Sequence, residues 1–280
     1  MPVTPSGAQR ASLHRSARLT IISIAFALIA AIAANYPSPA SAAGLKVVIV
    51  VGPAGSNTAN YITNAKRYAA QARSYGANVV EIYSPNATWS KVKAEAQGAK
   101  VLMYLGHGNG YPSPYGAFDS YNRDGMGLNH TAGAGNSNVQ YLGEYYMAAY
   151  LHLAPNAVVI LNRLCYASGN SEWGAALPTQ HTAKLRIDNY GAGFLRTGAK
   201  AVFAEGITDA GYILQNLFQT SRSFGSIFQS SPNYSGHYGW KFASGRTPGM
   251  TGWSDPSKPN WYYRSVIGNL SVTAATFRSS

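Results

Sequence analysis

Acidic side chains are scarce: the 280 residues hold 10 Asp and Glu against 22 Lys and Arg. The basic residues are scattered rather than clustered, which excludes the footprint of a nucleic-acid-binding face. Cysteine is nearly absent, with Cys165 alone. That excludes an intrachain disulfide and leaves one thiol to serve packing or chemistry. There are no internal repeats and no linker marking a boundary between folded domains. The loop Gly52-Pro53-Ala54-Gly55-Ser56-Asn57 lacks the Lys-Ser/Thr of a phosphate loop and the spacing of a dinucleotide fingerprint. Ser120 to Gly125 lacks the acidic first position and closing glutamate of a calcium loop, so a turn at Arg123-Asp124-Gly125 is expected instead. No cofactor and no metal is expected.

The N-terminus carries a recognisable address. Arg10, Arg15 and Arg18 precede an apolar run from Leu19 to Ala34, and Ala40-Ser41-Ala42 supplies an A-x-A cleavage pattern. The pattern predicts a secretory signal peptide over 1–43, cut after Ala42 or Ala43, and hence a secreted, extracellular protein. The run is short for a membrane span and flanked like a signal, so no permanent span is expected. Without those three arginines the chain keeps 19 of its 22 basic side chains against all 10 acids, a surplus suited to contact with an anionic cell surface. Residues 44–280 fit one domain.

Short apolar, partly β-branched runs bounded by turn residues read as strands buried on both faces. Such runs are Leu45 to Val51, Asn78 to Tyr83, Lys100 to Leu105, Ala157 to Leu161 and Lys200 to Gly206, with a last strand within Ser265 to Phe277. Helical periodicity falls between them: Tyr61 to Ala72, Thr88 to Ala96, Asn138 to Leu153, Ala183 to Thr197 and Ile213 to Phe228. The alternation predicts an α/β fold, a mostly parallel six-stranded sheet with helices on both faces. A polar, Gly/Tyr-rich insertion occupies 109–138, and 231–264 reads as irregular. A loop as long as the insertion is usually functional, and here it follows His107 directly.

Two strand ends deliver reactive groups. The third strand runs into Gly106-His107-Gly108, and the fourth runs through Asn162-Arg163-Leu164 into Cys165. Open α/β sheets place their chemistry at the carboxyl ends of their strands. An imidazole beside a thiol can lower the thiol pKa and later protonate a leaving amine.

These residues carry a resemblance. Leu105-Gly106-His107-Gly108, Cys165-Tyr166-Ala167-Ser168-Gly169 and Gly198-Ala199-Lys200-Ala201-Val202-Phe203-Ala204 resemble the corresponding motifs of the caspase-like cysteine peptidases. That group spans caspases, metacaspases, legumains, gingipains, separases and CHAT peptidases. The resemblance runs from Leu45 to Phe228 as an element order and implies a caspase-like three-layer sandwich. In that family a His-Gly ends the third strand and the nucleophilic cysteine ends the fourth. One departure is Leu164, where the family usually has a small residue before the nucleophile.

The resemblance implies a secreted cysteine endopeptidase acting on protein or peptide. Cys165 would be the nucleophile and His107 the general acid, with the Gly108 and Cys165 N–H groups forming an oxyanion hole. It also implies an acidic residue just past the fifth strand in the pocket for the residue before the cut. Glu205 and Asp209 occupy that placement, Asp209 the better, which would favour Arg or Lys there. The alternative is a catalytically inactive caspase-like surface domain that binds glycan or a protein partner through its aromatic loops.

Overall fold

The computed structural model describes Met1 and residues 44–279. The expected signal peptide falls on 1–43 and lies outside the described residues apart from Met1. Residues 44–279 fall within one compact unit, and among the described residues no helix is long and apolar enough to cross a membrane.

Five parallel strands make the centre of the sheet: β1 (Lys46–Val51), β2 (Asn78–Tyr83), β3 (Val101–Leu105), β6 (Val158–Asn162) and β7 (Ala201–Glu205). β10 (Arg264–Gly268) runs antiparallel to β7, and β9 (Thr251–Ser254) and β8 (Trp240–Ala243) continue the antiparallel edge. The order is β2-β1-β3-β6-β7-β10-β9-β8, so the sheet has eight strands rather than six. The region expected to be irregular supplies β8 and β9. The insertion likewise holds β4 (Met126–Asn129), which pairs antiparallel with β5 (Val139–Leu142) just beyond it.

Because successive strand residues face opposite ways, the central strands feed two apolar layers. Val48, Leu102, Tyr104, Val159 and Leu161 face one layer, while Ile49, Val101, Met103, Val158 and Ile160 face the other. The first layer is closed by α2 (Trp89–Glu95), α3 (Glu144–Tyr150) and α4 (Gln180–Leu195). The second is closed by α1 (Thr58–Ser74), α5 (Gly211–Gln219), α6 (Phe224–Gln229) and α7 (Ala274–Ser279). α1 buries Ala65, Tyr68, Ala69 and Ala72, a stripe at helical spacing. The Thr179 hydroxyl caps α4 by accepting the Thr182 N–H, and Ser223 does the same for α6 through Ser226.

Two helix expectations and one strand expectation shift. The helix expected over Asn138 to Leu153 is only Glu144–Tyr150, because Val139 to Leu142 pair with β4. The stretch Ile213 to Phe228 splits into α5 and α6, and the last segment ends as a helix after a five-residue strand.

Candidate functional site

The register of β3 against β6 aligns Leu105 with Asn162. Both strands then leave the sheet at the same edge, carrying His107 and Cys165 into one cleft of about 760 Å³. The insertion walls it with Tyr115, Asn122 and Arg123, β5 adds Tyr141, and the loop after the cysteine adds Glu172.

Each turn is pinned. On the histidine side, Tyr104 donates its hydroxyl to the Gly127 carbonyl and accepts the Gly127 N–H, fastening β3 to the insertion. The Asn109 N–H donates to the Tyr190 hydroxyl, and the Asn109 amide oxygen accepts from Arg123. On the cysteine side, the Asn162 amide donates to the carbonyls of Glu205 and Thr208, and the Arg163 guanidinium to that of Ile207. Downstream, Arg186 reaches back to the carbonyls of Gly169 and Asn170, and Ser168 donates to that of Tyr262.

The backbone around the thiol is bent sharply. Arg163 and Tyr166 both hold positive φ, 69° and 68°. A bulky residue pays of order 1–3 kcal/mol for that conformation, and such strain gathers at functional sites. Gly108 closes the arrangement: a Cβ there would lie 2.0 Å from the Cys165 carbonyl oxygen. Its missing side chain is therefore required by the neighbouring strand end itself. Among the described residues, neither the Gly108 nor the Cys165 N–H has a hydrogen-bond acceptor. Leu164 is buried and joins the first apolar layer, so its bulk turns away from the cleft.

Electrostatics differ from the sequence expectation. Burial pushes the Cys165 thiol up to about 11, the Glu172 carboxylate adds to the rise, and the Trp173 backbone N–H opposes it. The His107 ring is exposed at the cleft mouth. Its imidazole is still held below its ordinary value by desolvation, with Glu172 pulling it upward. Both shifts favour the neutral group, and it is the Glu172 charge rather than the histidine that bears on the thiol.

The two acids expected in the cleft are elsewhere. Glu205 is fully buried, paired with Arg264 and accepting hydroxyls from Thr208 and Tyr212. Asp209 pairs with Arg67 at the surface and accepts the Gly211 N–H at the start of α5. Each carboxylate is spent on structure, and neither lines the cleft. Sequence reasoning missed Glu172, seven positions beyond Cys165 in a loop without periodicity. The one available signal was an acid close behind the thiol in a chain poor in acids.

A scan against protein-family models and a search of the curated proteins return no match.

Proposed function

We propose that this protein is a cysteine peptidase of the caspase-like kind, exported by its leader and cleaving peptide bonds with Cys165 and His107. The observation that carries this is the delivery of an imidazole and the chain's only thiol from adjacent parallel strands, third and fourth in the main sheet, into one cleft. In the reaction, His107 takes the thiol proton as Sγ bonds to the scissile carbonyl carbon. The resulting oxyanion is received by the N–H groups of Gly108 and Cys165; a donor of this kind contributes about 3 kcal/mol to the transition state. The protonated imidazole then gives its proton to the leaving amine, and the C–N bond breaks. Water, deprotonated by His107, attacks the thioester and releases the acid with the thiol restored. A neutral thiol beside a neutral imidazole suits general-base attack, in which the proton moves as the bond forms.

A second reading rests on a different feature. Trp89, Tyr121, Tyr145, Tyr146 and Tyr150 form a contiguous ring cluster with centroids 4.7 to 6.3 Å apart. Tyr121, Tyr145 and Tyr150 are exposed, a surface able to stack on sugar rings or a partner protein. One experiment separates the two. Mature protein is treated with a thiol-reactive acyloxymethyl-ketone peptide and assayed on a fluorogenic peptide library. The peptidase reading expects labelling and hydrolysis that vanish in Cys165→Ala and fall at least 100-fold in His107→Ala, with the fold unchanged by circular dichroism. Neither labelling nor hydrolysis, together with retention on cell-wall glycan lost in Tyr145→Ala, would establish the binding reading.

A further inference from the structure

Six of the chain's ten acids are ion-paired: Glu81, Glu95, Glu144, Glu205, Asp209 and Asp255. Among the described residues the other four, Asp119, Asp124, Glu172 and Asp188, have no ion-pair partner, and of these four Glu172 alone lines the cleft. Its carboxylate is nevertheless fixed in place. The Tyr115 hydroxyl donates to Oε2 at 2.6 Å and the Tyr166 hydroxyl to Oε1 at 3.0 Å. An ionised carboxylate has about four acceptor sites, so roughly half of them remain open.

The nearby cations are otherwise engaged. Arg186 stacks on the Tyr166 ring and gives its donors to the carbonyls of Pro112, Gly169 and Asn170. Arg123, the one arginine or lysine among the described residues lining the cleft, directs both terminal nitrogens at Asn109, Ser113 and the Tyr115 carbonyl. The cleft thus presents, beside the thiol, an oriented carboxylate with no direct ion-pair partner among the described residues, while the hydrogen-bond donors of the neighbouring guanidiniums are tied into the wall.

We infer that Glu172 is the specificity-determining residue of the cleft, receiving an arginine or lysine side chain of the substrate. This rests on the peptidase reading and moves the cationic preference from Asp209 to a residue within the site. A guanidinium can meet a carboxylate with two parallel hydrogen bonds, so arginine is favoured over lysine. A second consequence follows from position. Glu172 is the one carboxylate raising the Cys165 thiol, so a cation bound to it relieves that effect. A cationic substrate therefore helps ionise the nucleophile that attacks it, and an acidic one opposes its own cleavage.

The test uses mature protein and Glu172→Gln, with Glu172→Asp as the conservative variant. Wild type should prefer Arg, then Lys, before the cut. Glu172→Gln should lose 10- to 100-fold in kcat/KM on an Arg peptide, and Glu172→Asp should recover part of it. At pH 8 iodoacetamide should modify Cys165 several-fold faster in Glu172→Gln than in wild type. Faster alkylation with slower cleavage is a combination that mere damage to the loop does not produce. A binding arm stands apart from catalysis. Cys165→Ala should bind a hexapeptide with a single Arg at least tenfold tighter than its Gln counterpart, and the added Glu172→Gln change should erase the difference. If wild type hydrolyses nothing but this binding difference holds, the peptidase reading fails and the role of Glu172 stands. Equal binding of the two hexapeptides, a preference for Asp or Glu, or an Arg preference unchanged in Glu172→Gln would overturn the inference.

Discussion

At the scale of single residues, the thiol is restrained rather than primed. Cys165 is half-buried and its pKa is pushed up to about 11, above the ordinary value of 9.0, mainly by burial. Alkylation proceeds through the thiolate. Its rate in the empty protein should therefore keep climbing with pH beyond 9 and level off only near 11, which stopped-flow labelling with iodoacetamide would trace. A plateau below pH 8 would mean a thiolate–imidazolium pair and contradict the neutral dyad. Peptide hydrolysis should instead rise through a pKa below 6.5, because the lowered His107 must be neutral to take the proton. The two profiles should be well separated on the pH axis.

At the scale of elements, the central strands were legible because Val, Ile and Leu fill them on both faces. The histidine and cysteine followed as the groups at their ends. The edge strands were not legible. Trp240–Ala243 and Thr251–Ser254 are four residues each, set among Gly, Pro and Ser, and β-structure forms there through pairing of β9 with β10 and of β8 with β9 rather than local preference. β4 is similar: Met126-Gly127-Leu128-Asn129 offers only two apolar side chains around a glycine, and its place is set by the Tyr104 hydroxyl gripping Gly127. Glu205 was misplaced because position along a strand does not say which partner a side chain meets. It sits opposite Arg264 across β7 and β10, and Arg264 also pairs with Asp255. Removing one member of a buried pair leaves an uncompensated charge, a cost of about 3–5 kcal/mol. Because Asp255 still faces Arg264, Glu205→Ala should lower stability by less than that, measurably in urea unfolding, while leaving the residue preferred before the cut unaltered. A changed preference with unchanged stability would return Glu205 to the pocket.

At the scale of the whole molecule, no disulfide supports the fold, and stability rests on two apolar layers and a few buried polar groups. One of these should make stability depend on pH. Asp124 is fully buried beside the cleft wall, and desolvation pushes its carboxyl up to about 8 from an ordinary 3.8, the nearby Glu144 adding to the rise. Between those values the folded protein keeps a proton that the unfolded chain gives up. Stability from this group therefore falls as pH rises across the window, by at most about 1.4 kcal/mol per pH unit. Asp124→Asn should flatten that slope in thermal melts between pH 4 and 8. Asparagine also tolerates the left-handed backbone held there, φ 62°. An unchanged slope would show that the carboxyl ionises within the fold.

The way the cleft is assembled also bears on how such a protein diversifies. The reactive pair is borne by the sheet, where every neighbouring side chain is locked in close packing and a change is felt on both faces. Four wall residues, Tyr115, Asn122, Arg123 and Tyr141, come instead from one continuous stretch that leaves the sheet after β3. That stretch is a cassette. Its outer turns can drift, lengthen or be exchanged between relatives and reshape the groove, provided the anchors at Tyr104, Asn109 and Gly127 persist. A change confined to that segment reshapes the groove while the strand ends that carry His107 and Cys165 stay as they are.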